Sequence, residues 1–402
     1  MAKGGRKIYR TSANYRKKRN RKILKAFLII LLLAALVFLG YSVAKPIHNF
    51  IADKTGEQLT DEEVWTPPVM TEQTEPETED TTQPEETEPA EEKKPKSESF
   101  SAYRLPVTAL ASPQTLEVEL DTAKENGYTA ICVPMKAEGG KIYYNTASAM
   151  AATSEEAVAG TMYAGQISSI IKNKGFVAVA YVNLLEDNNR YGESRTGSYR
   201  TTDDSTWLDN APSKGGKPWL SPFETETQEF VRFISNEITG AGFDHLVFDG
   251  AVFPNFRNSD KAYIGESVQS ETRYKALVNI ANIAAEAAEA YEINPILTVS
   301  AAGVFDGTEE VFKPSELKYL TFAVEFSPEK IPATAVINGE ETALSELNAY
   351  DRAYVIFSEI QRLAGADVKL VPVLTQAEFT QADFNETITA VRTLGCESYI
   401  IG

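Results

Sequence analysis

From about Ser99 to the C-terminus, short apolar runs rich in β-branched residues alternate with longer stretches whose apolar positions recur at helical spacing. The runs predict strands over Arg104–Leu110, Thr129–Met135, Phe176–Asn183, His245–Asp249, Ile296–Ser300, Tyr319–Glu325, Lys369–Leu374 and Ser398–Ile401. The longer stretches predict helices over Thr115–Asn126, Ala157–Asn173, Glu224–Ala241, Glu271–Tyr291, Ser345–Ala364 and Asp383–Leu394. Asn126-Gly127 and Leu394-Gly395 place glycine just past a helix, where the left-handed conformation costs little, and Gly242 does the same. Strands alternating with helices imply a parallel sheet. Continuous apolar runs imply that both of its faces are buried. Eight strands over roughly 300 residues fit a (β/α)8 barrel of the α/β class. A doubly wound open sheet is the alternative, disfavoured because no glycine-rich phosphate loop follows the first run. No helix candidate follows the last run, which keeps an unclosed or differently capped barrel open as an alternative.

Upstream the pattern changes twice. Thr66 to Lys96 is built from Thr, Glu and Pro, has almost nothing to bury, and is expected to stay disordered and extended as a stalk. Ala26 to Ala44 carries no charge and is long enough to cross a bilayer. A cluster running from Arg16 to Lys25 precedes it, and basic flanks stay on the cytoplasmic side. The rival reading is a cleaved signal peptide, for which Ser42-Val43-Ala44 offers small residues; the lengths of the apolar run and the basic region favour an anchor. The expected organisation is a basic cytoplasmic tail at 1–25, a transmembrane helix at 26–44, a membrane-proximal segment and acidic linker at 45–98, and an extracytoplasmic barrel at 99–402.

The formal net charge is −18, although the first 25 residues hold eleven Lys or Arg and no acid. An acidic domain outside the membrane repels phosphate backbones, so nucleic acid is not an expected partner. The two cysteines, Cys132 and Cys396, fall on non-adjacent strands and are expected to be buried thiols rather than a disulfide. No cysteine cluster of zinc type exists, and the only histidines are His48 and His245. Metal sites built on histidine and histidine-based nucleophilic catalysis are therefore poorly supported, and no cofactor is expected.

Carboxylates remain as the actors, and glycoside hydrolysis needs only two of them. In a barrel, chemistry sits at the C-terminal ends of the strands. Asp249 ends one run and Glu325 another, and an acid at the mouth of a buried strand costs desolvation. Asp306 is weaker, because Asp-Gly is an ordinary turn signal. The longest strand-to-helix loop, Leu184–Pro222, carries Asp187, Arg190, Tyr191, Arg195, Tyr199, Arg200, Trp207, Asp209 and Trp219. Its flat aromatics and planar polar groups suit sugar rings, and equally suit a loop packed on its own side chains.

From about Ala102 onward the sequence resembles the putative glycosyl hydrolase domains, bacterial (β/α)8 barrels often secreted or membrane-anchored. Val133-Pro134-Met135-Lys136-Ala137-Glu138-Gly139-Gly140-Lys141-Ile142-Tyr143-Tyr144 is similar to their IDVKDDxGxxxY pattern. Trp219-Leu220-Ser221-Pro222 resembles WLDP, Gly242 to Pro254 resembles GFDEIQFDYIRFP, and Val299-Ser300-Ala301 is similar to the start of SADVFG. Lys136, Tyr144, Trp219, Asp249 and Pro254 keep the family residues. Pro134 and Ser221 replace acids, Gly250 and Val252 replace Tyr and Arg, and the acid of SADVFG has no clean counterpart. A proline cannot donate a proton, attack as a nucleophile or accept through a carboxylate.

The resulting expectation is a membrane-anchored glycoside hydrolase acting on a cell-envelope or environmental glycan. Asp249 and Glu325 would be the catalytic acids, and Lys136, Tyr144, Asn183, Trp207, Trp219 and Asp306 the substrate contacts. The lost acids keep two alternatives open, a glycan-binding module without turnover and a tethered envelope scaffold.

Overall fold

A computed structural model describes residues 99–146, 157–188 and 197–402. The expected tail, span and linker lie outside these residues, as do His48, Arg190, Tyr191 and Arg195. Among the described residues, no helix is long and apolar enough to cross a membrane.

Eight parallel strands close into a barrel: β1 (Ser101–Arg104), β2 (Ala130–Lys136), β3 (Val177–Asn183), β4 (His245–Asp249), β5 (Pro295–Ser300), β6 (Thr321–Glu325), β9 (Lys369–Leu374) and β10 (Tyr399–Ile401). The first strand pairs with the last, Ala102 opposite Ile400, so the barrel is closed rather than open. Followed partner by partner, the registers return to β1 displaced by eight residues, the stagger of a (β/α)8 barrel. An excursion between β6 and β9 adds a two-stranded hairpin, β7 (Thr334–Ile337) and β8 (Glu340–Ala343).

Among the described residues the helices are α1 (Pro113–Glu125), α2 (Ala164–Asn173), α3 (Thr225–Thr239), α4 (Asn258–Ile264), α5 (Tyr274–Glu289), α6 (Ala301–Asp306), α7 (Ala349–Ala364) and α8 (Gln381–Thr393). Local sequence fixes several starts. Ser112 and Thr115 form a reciprocal capping box on α1, and Asn348 and Thr380 cap α7 and α8. The buried face of α5 is mostly alanine, which lets this helix lie close to its neighbours.

Period-two alternation sorts each strand between two cores. Ala102, Cys132, Val179, Tyr181, Val247 and Ala323 belong to one buried cluster, the barrel lumen. Ile131, Ala180, Leu246 and Phe322 face the helices and join the larger cluster. Arg104, Asn183, Asp249 and Glu325 each stand two residues beyond a lumen residue, so the same alternation aims them into the C-terminal mouth.

Three expectations need correction. The first strand ends at Arg104 instead of beginning there, because Pro106 has no N–H for a central ladder, and Val107–Ala111 is a 3-10 turn. Helix α2 starts at Ala164 because Val158 bridges to Ile142, which holds that stretch extended. The β7–β8 hairpin was not expected, although Asn338 and Gly339 both take positive φ, the requirement of a tight hairpin turn that Asn-Gly satisfies.

Candidate active site

The mouth is built from the ends of β1, β3, β4, β5 and β6. Asp249 is half-buried, and the buried Tyr181 on the adjacent strand donates its hydroxyl to Asp249 Oδ2. The Arg104 guanidinium lies over the Tyr181 ring, 4.2 Å from its centroid. Burial opposes the charge of Arg104, but Tyr181, Cys132, Asp249 and Glu325 around it raise its pKa above the usual value. Burial, then the charge of Asp249, pushes the Tyr181 phenol far up, so this hydroxyl keeps its proton. Tyr181 is thus a permanent donor to Asp249, and Arg104 a permanent cation beside both.

Glu325 sits opposite Ser300 and Val373 in the ladder. Register and stagger place it level with Asp249: Thr298, in the row of Asp249, pairs with Ala323, and the barrel stagger advances about one residue per strand. Asp249 and Glu325 therefore occupy one layer of alternate strands around the lumen. Burial, then the negative charge of Asp249, raises the Glu325 pKa to about 7, against the opposing pull of Arg104 and Lys330. Glu325 and Arg104 line a small cleft of about 180 Å³ together with Glu138, Lys330 and Glu378.

A third acid was not foreseen. Glu309 follows α6, and its Oε2 accepts from the Ser300 backbone N–H at 2.7 Å. Its Oε1 is buried without a partner, and burial, offset by that bond but reinforced by Asp249 and Glu325, raises its pKa to about 7. Gly303 leaves room for it, because a Cβ there would stand 3.1 Å from Glu309 Cβ. Neither Arg104 nor Tyr181 was foreseen either. The displaced first strand hid Arg104, whereas Tyr181 was legible as a polar residue two positions before the end of a buried run.

The expected substrate contacts separate by burial. Lys136 is fully buried; its Nζ donates to the Asn183 carbonyl at 2.8 Å and lies 3.4 Å from Asp187 Oδ2. The side chain of Asn183 is buried, accepts from the Glu186 N–H at 3.0 Å, and packs on Gly250. A Cβ at Gly250 would stand 2.5 Å from the Asn183 amide, and φ there is +67°, which explains why glycine stands in the family tyrosine's place. Tyr144 is buried and donates to Glu237 at 2.5 Å, tying the loop after β2 to α3. Trp207 is buried in an aromatic cluster, its ring 5.9 Å from Tyr199 and 5.1 Å from Phe256. Half-buried Trp219 donates Nε1 to Asp209 at 3.3 Å. Asp306 is exposed and closes a turn by accepting from the Thr308 N–H at 2.9 Å. The side chains of Lys136, Tyr144, Asn183 and Trp207 are thus engaged beneath the surface, where they set loop positions.

The substituted family acids have structural roles. Pro134 faces the lumen opposite Tyr181, and the register shifts between Pro134 and Lys136, as a proline within a sheet requires. Ser221 is buried in a turn, its N–H on the Gly197 carbonyl at 2.7 Å. Cys132 and Cys396 are buried free thiols, both pushed by burial to about 11. His245 is half-buried near the opposite end of the barrel, 5.0 Å from the Phe100 ring, and burial lowers its pKa.

Residues 103–313, just over half of the chain, match the family described as "Putative glycosyl hydrolase domain". No curated protein matches the sequence. The glycoside hydrolase domain of PgaB (BpsB) from Bordetella bronchiseptica superposes with a TM-score of 0.50 at 15% identity, over 76% of this chain and 94% of that one. A hypothetical protein from Ruminiclostridium thermocellum gives 0.39 at 16% identity, over 46% and 91%. A chitobiase from Flavobacterium johnsoniae gives 0.47 at 10% identity, over 75% and 44%. At such identities the likeness concerns the fold alone.

Proposed function

This chain belongs to the putative glycosyl hydrolase domain family, and we propose that it cleaves a glycan with Asp249 and Glu325 as its two carboxyl groups. The observation carrying this reading is their placement in one lumen layer, with Glu325 raised to about 7 and Asp249 held by a hydroxyl donor. Two acids whose surroundings differ in this way divide the roles of proton donor and anion. Glu325 gives its proton to the departing glycosidic oxygen. Asp249 either attacks the anomeric carbon or takes the proton of an attacking water. One intervening strand puts the two backbones roughly 10 Å apart, and two-carboxylate hydrolysis uses carboxyls roughly 5–9.5 Å apart. Arg104 stands as a fixed cation beside Asp249 and lines the cleft wall that the substrate meets. The anomer formed first, read by proton NMR, separates the two routes.

A second reading, glycan binding without turnover, is favoured by Pro134. It faces the lumen where the family has an acid, so one family carboxyl is absent from the mouth. This reading expects glycan retention that survives Asp249→Asn and weakens in Trp219→Ala.

The basic segment 1–25 and the apolar run 26–44 support placing the domain outside the membrane, near an envelope or environmental polymer. Protease added to intact cells should remove the barrel and spare the N-terminal tail. Resistance of the barrel in intact cells would contradict that placement.

A further inference from the structure

Beside the acid-lined cleft lies a larger groove. Its cavity of about 520 Å³ is lined by Glu138, Lys141, Tyr143, Leu208 and Lys217, among others. Glu138 also lines the mouth cleft, so the two spaces adjoin across one side chain. The mouth alone, at about 180 Å³, is smaller than the roughly 300–1,000 Å³ of ordinary small-molecule sites; with the groove, the space enters that range. At the other end of the mouth stand Lys330 and Glu378, the former exposed. The cleft at Glu325 thus has the groove on its Glu138 side and exposed Lys330 on the other.

The walls of the groove are built rigidly. The loop after β2 folds back on itself, Ala137 N–H to the Lys141 carbonyl at 3.0 Å, with Lys136 bridging to Ile142. Gly139 and Gly140 both take positive φ, and a Cβ on Gly140 would stand 2.2 Å from the Asp187 side chain. Asp187 is the buried partner of Lys136. This buried ion pair therefore sets the height of the loop that carries Glu138 and Tyr143. On the far side, Asp209 holds the opposing loop by accepting from the Lys217 N–H at 2.7 Å.

We infer that this groove is a run of sugar subsites extending from the cleft at Glu325, and that the protein therefore takes an internal stretch of a polymer and cuts within it. The inference rests on the hydrolase reading above. A half-buried tyrosine offers a ring face to sugar C–H groups, and Glu138, Lys141 and Lys217 offer both donors and acceptors to hydroxyls. A chain-end cutter needs a closed end that stops the polymer, whereas this cleft has a groove on one side and an exposed lysine on the other.

The test uses full-length protein and three oligomer series, chitooligosaccharides, cello-oligosaccharides and peptidoglycan glycan-strand fragments, from disaccharide to hexasaccharide. Calorimetry on the Asp249→Asn protein measures affinity against chain length. Mass spectrometry of digests by the unsubstituted protein measures product length. In the series that binds, affinity rises about tenfold or more from disaccharide to hexasaccharide. Tyr143→Ala and Lys217→Ala each remove most of that rise while leaving disaccharide affinity and the melting temperature unchanged. Early products are of intermediate length. Turnover with flat affinity along the series, or with only terminal units released from the start, overturns the groove and leaves the hydrolase reading standing. Neither binding nor turnover in any series overturns both.

Discussion

Tyr181 donates its hydroxyl to the Asp249 carboxylate across the β3–β4 pair, beneath the Arg104 guanidinium. The bond joins two lumen positions of neighbouring strands and fixes which way Asp249 faces. A hydrogen bond to a charged group is worth about 1.5–3 kcal/mol. Tyr181→Phe keeps the ring under Arg104 and removes only the hydroxyl. We expect kcat to fall about 10- to 100-fold, with the melting temperature changed by only a few degrees. An unchanged kcat would show that Asp249 needs no orientation by Tyr181.

The acid role of Glu325 sets a pH limit. With a pKa raised to about 7, Glu325 is protonated below neutrality and loses its proton above it. Activity should therefore decline as pH rises through about 7, and Glu325→Gln should abolish both the activity and this limb. A profile flat from pH 6 to pH 9 would remove Glu325 from the acid role.

The same burial makes a stability prediction. Glu309 and Glu325 both have folded-state pKa values near 7, above the ordinary 4.5. The folded state thus binds more protons than the unfolded state between those values. Stability is then highest below about pH 4.5 with respect to these groups, and falls as pH rises to about 7. Glu309→Gln keeps an acceptor for the Ser300 N–H and deletes one of the two titrations. Urea denaturation should show the variant more stable than the parent at pH 8, by roughly 1–3 kcal/mol, and little different at pH 5. A variant less stable at pH 8 would mean that the buried charge is compensated.

Lys136 and Gly250 are expected to matter through position. Lys136→Met removes the cation of a buried pair and should destabilise by about 3–5 kcal/mol. Gly250→Ala would press a methyl onto the Asn183 amide in a backbone conformation that alanine resists, and should cost about 1–3 kcal/mol. Each is measured by chemical denaturation with the slope held constant. Full stability of Lys136→Met would show that the buried pair with Asp187 does not hold the loop in place.

Most of the fold was legible because buried parallel strands write themselves as continuous apolar runs. His245–Asp249 and Lys369–Leu374 match the expected bounds, and the eight-strand closed barrel follows from the alternation with helices. The errors have local causes. Pro106 broke a run that continues in apolar character but not in hydrogen bonding, and this moved Arg104 from the floor of the barrel to its mouth. Asp249 and Glu325 were legible as acids at strand ends. Glu309 was not, because only the folded loop carries it back nine residues to the end of β5. Lys136 and Tyr144 read in the sequence as substrate contacts, and their burial depends on partners at Asp187 and Glu237, far along the chain.

The central question is whether Asp249 and Glu325 break a glycosidic bond. The most direct measurement is release of reducing ends from envelope polysaccharide by full-length protein and by its Asp249→Asn and Glu325→Gln variants, each confirmed folded by circular dichroism. We expect release by the parent protein and a loss of at least about 1,000-fold in each variant. Retention of the polysaccharide by all three proteins with no reducing ends from any would contradict it, and would make the barrel a binding module.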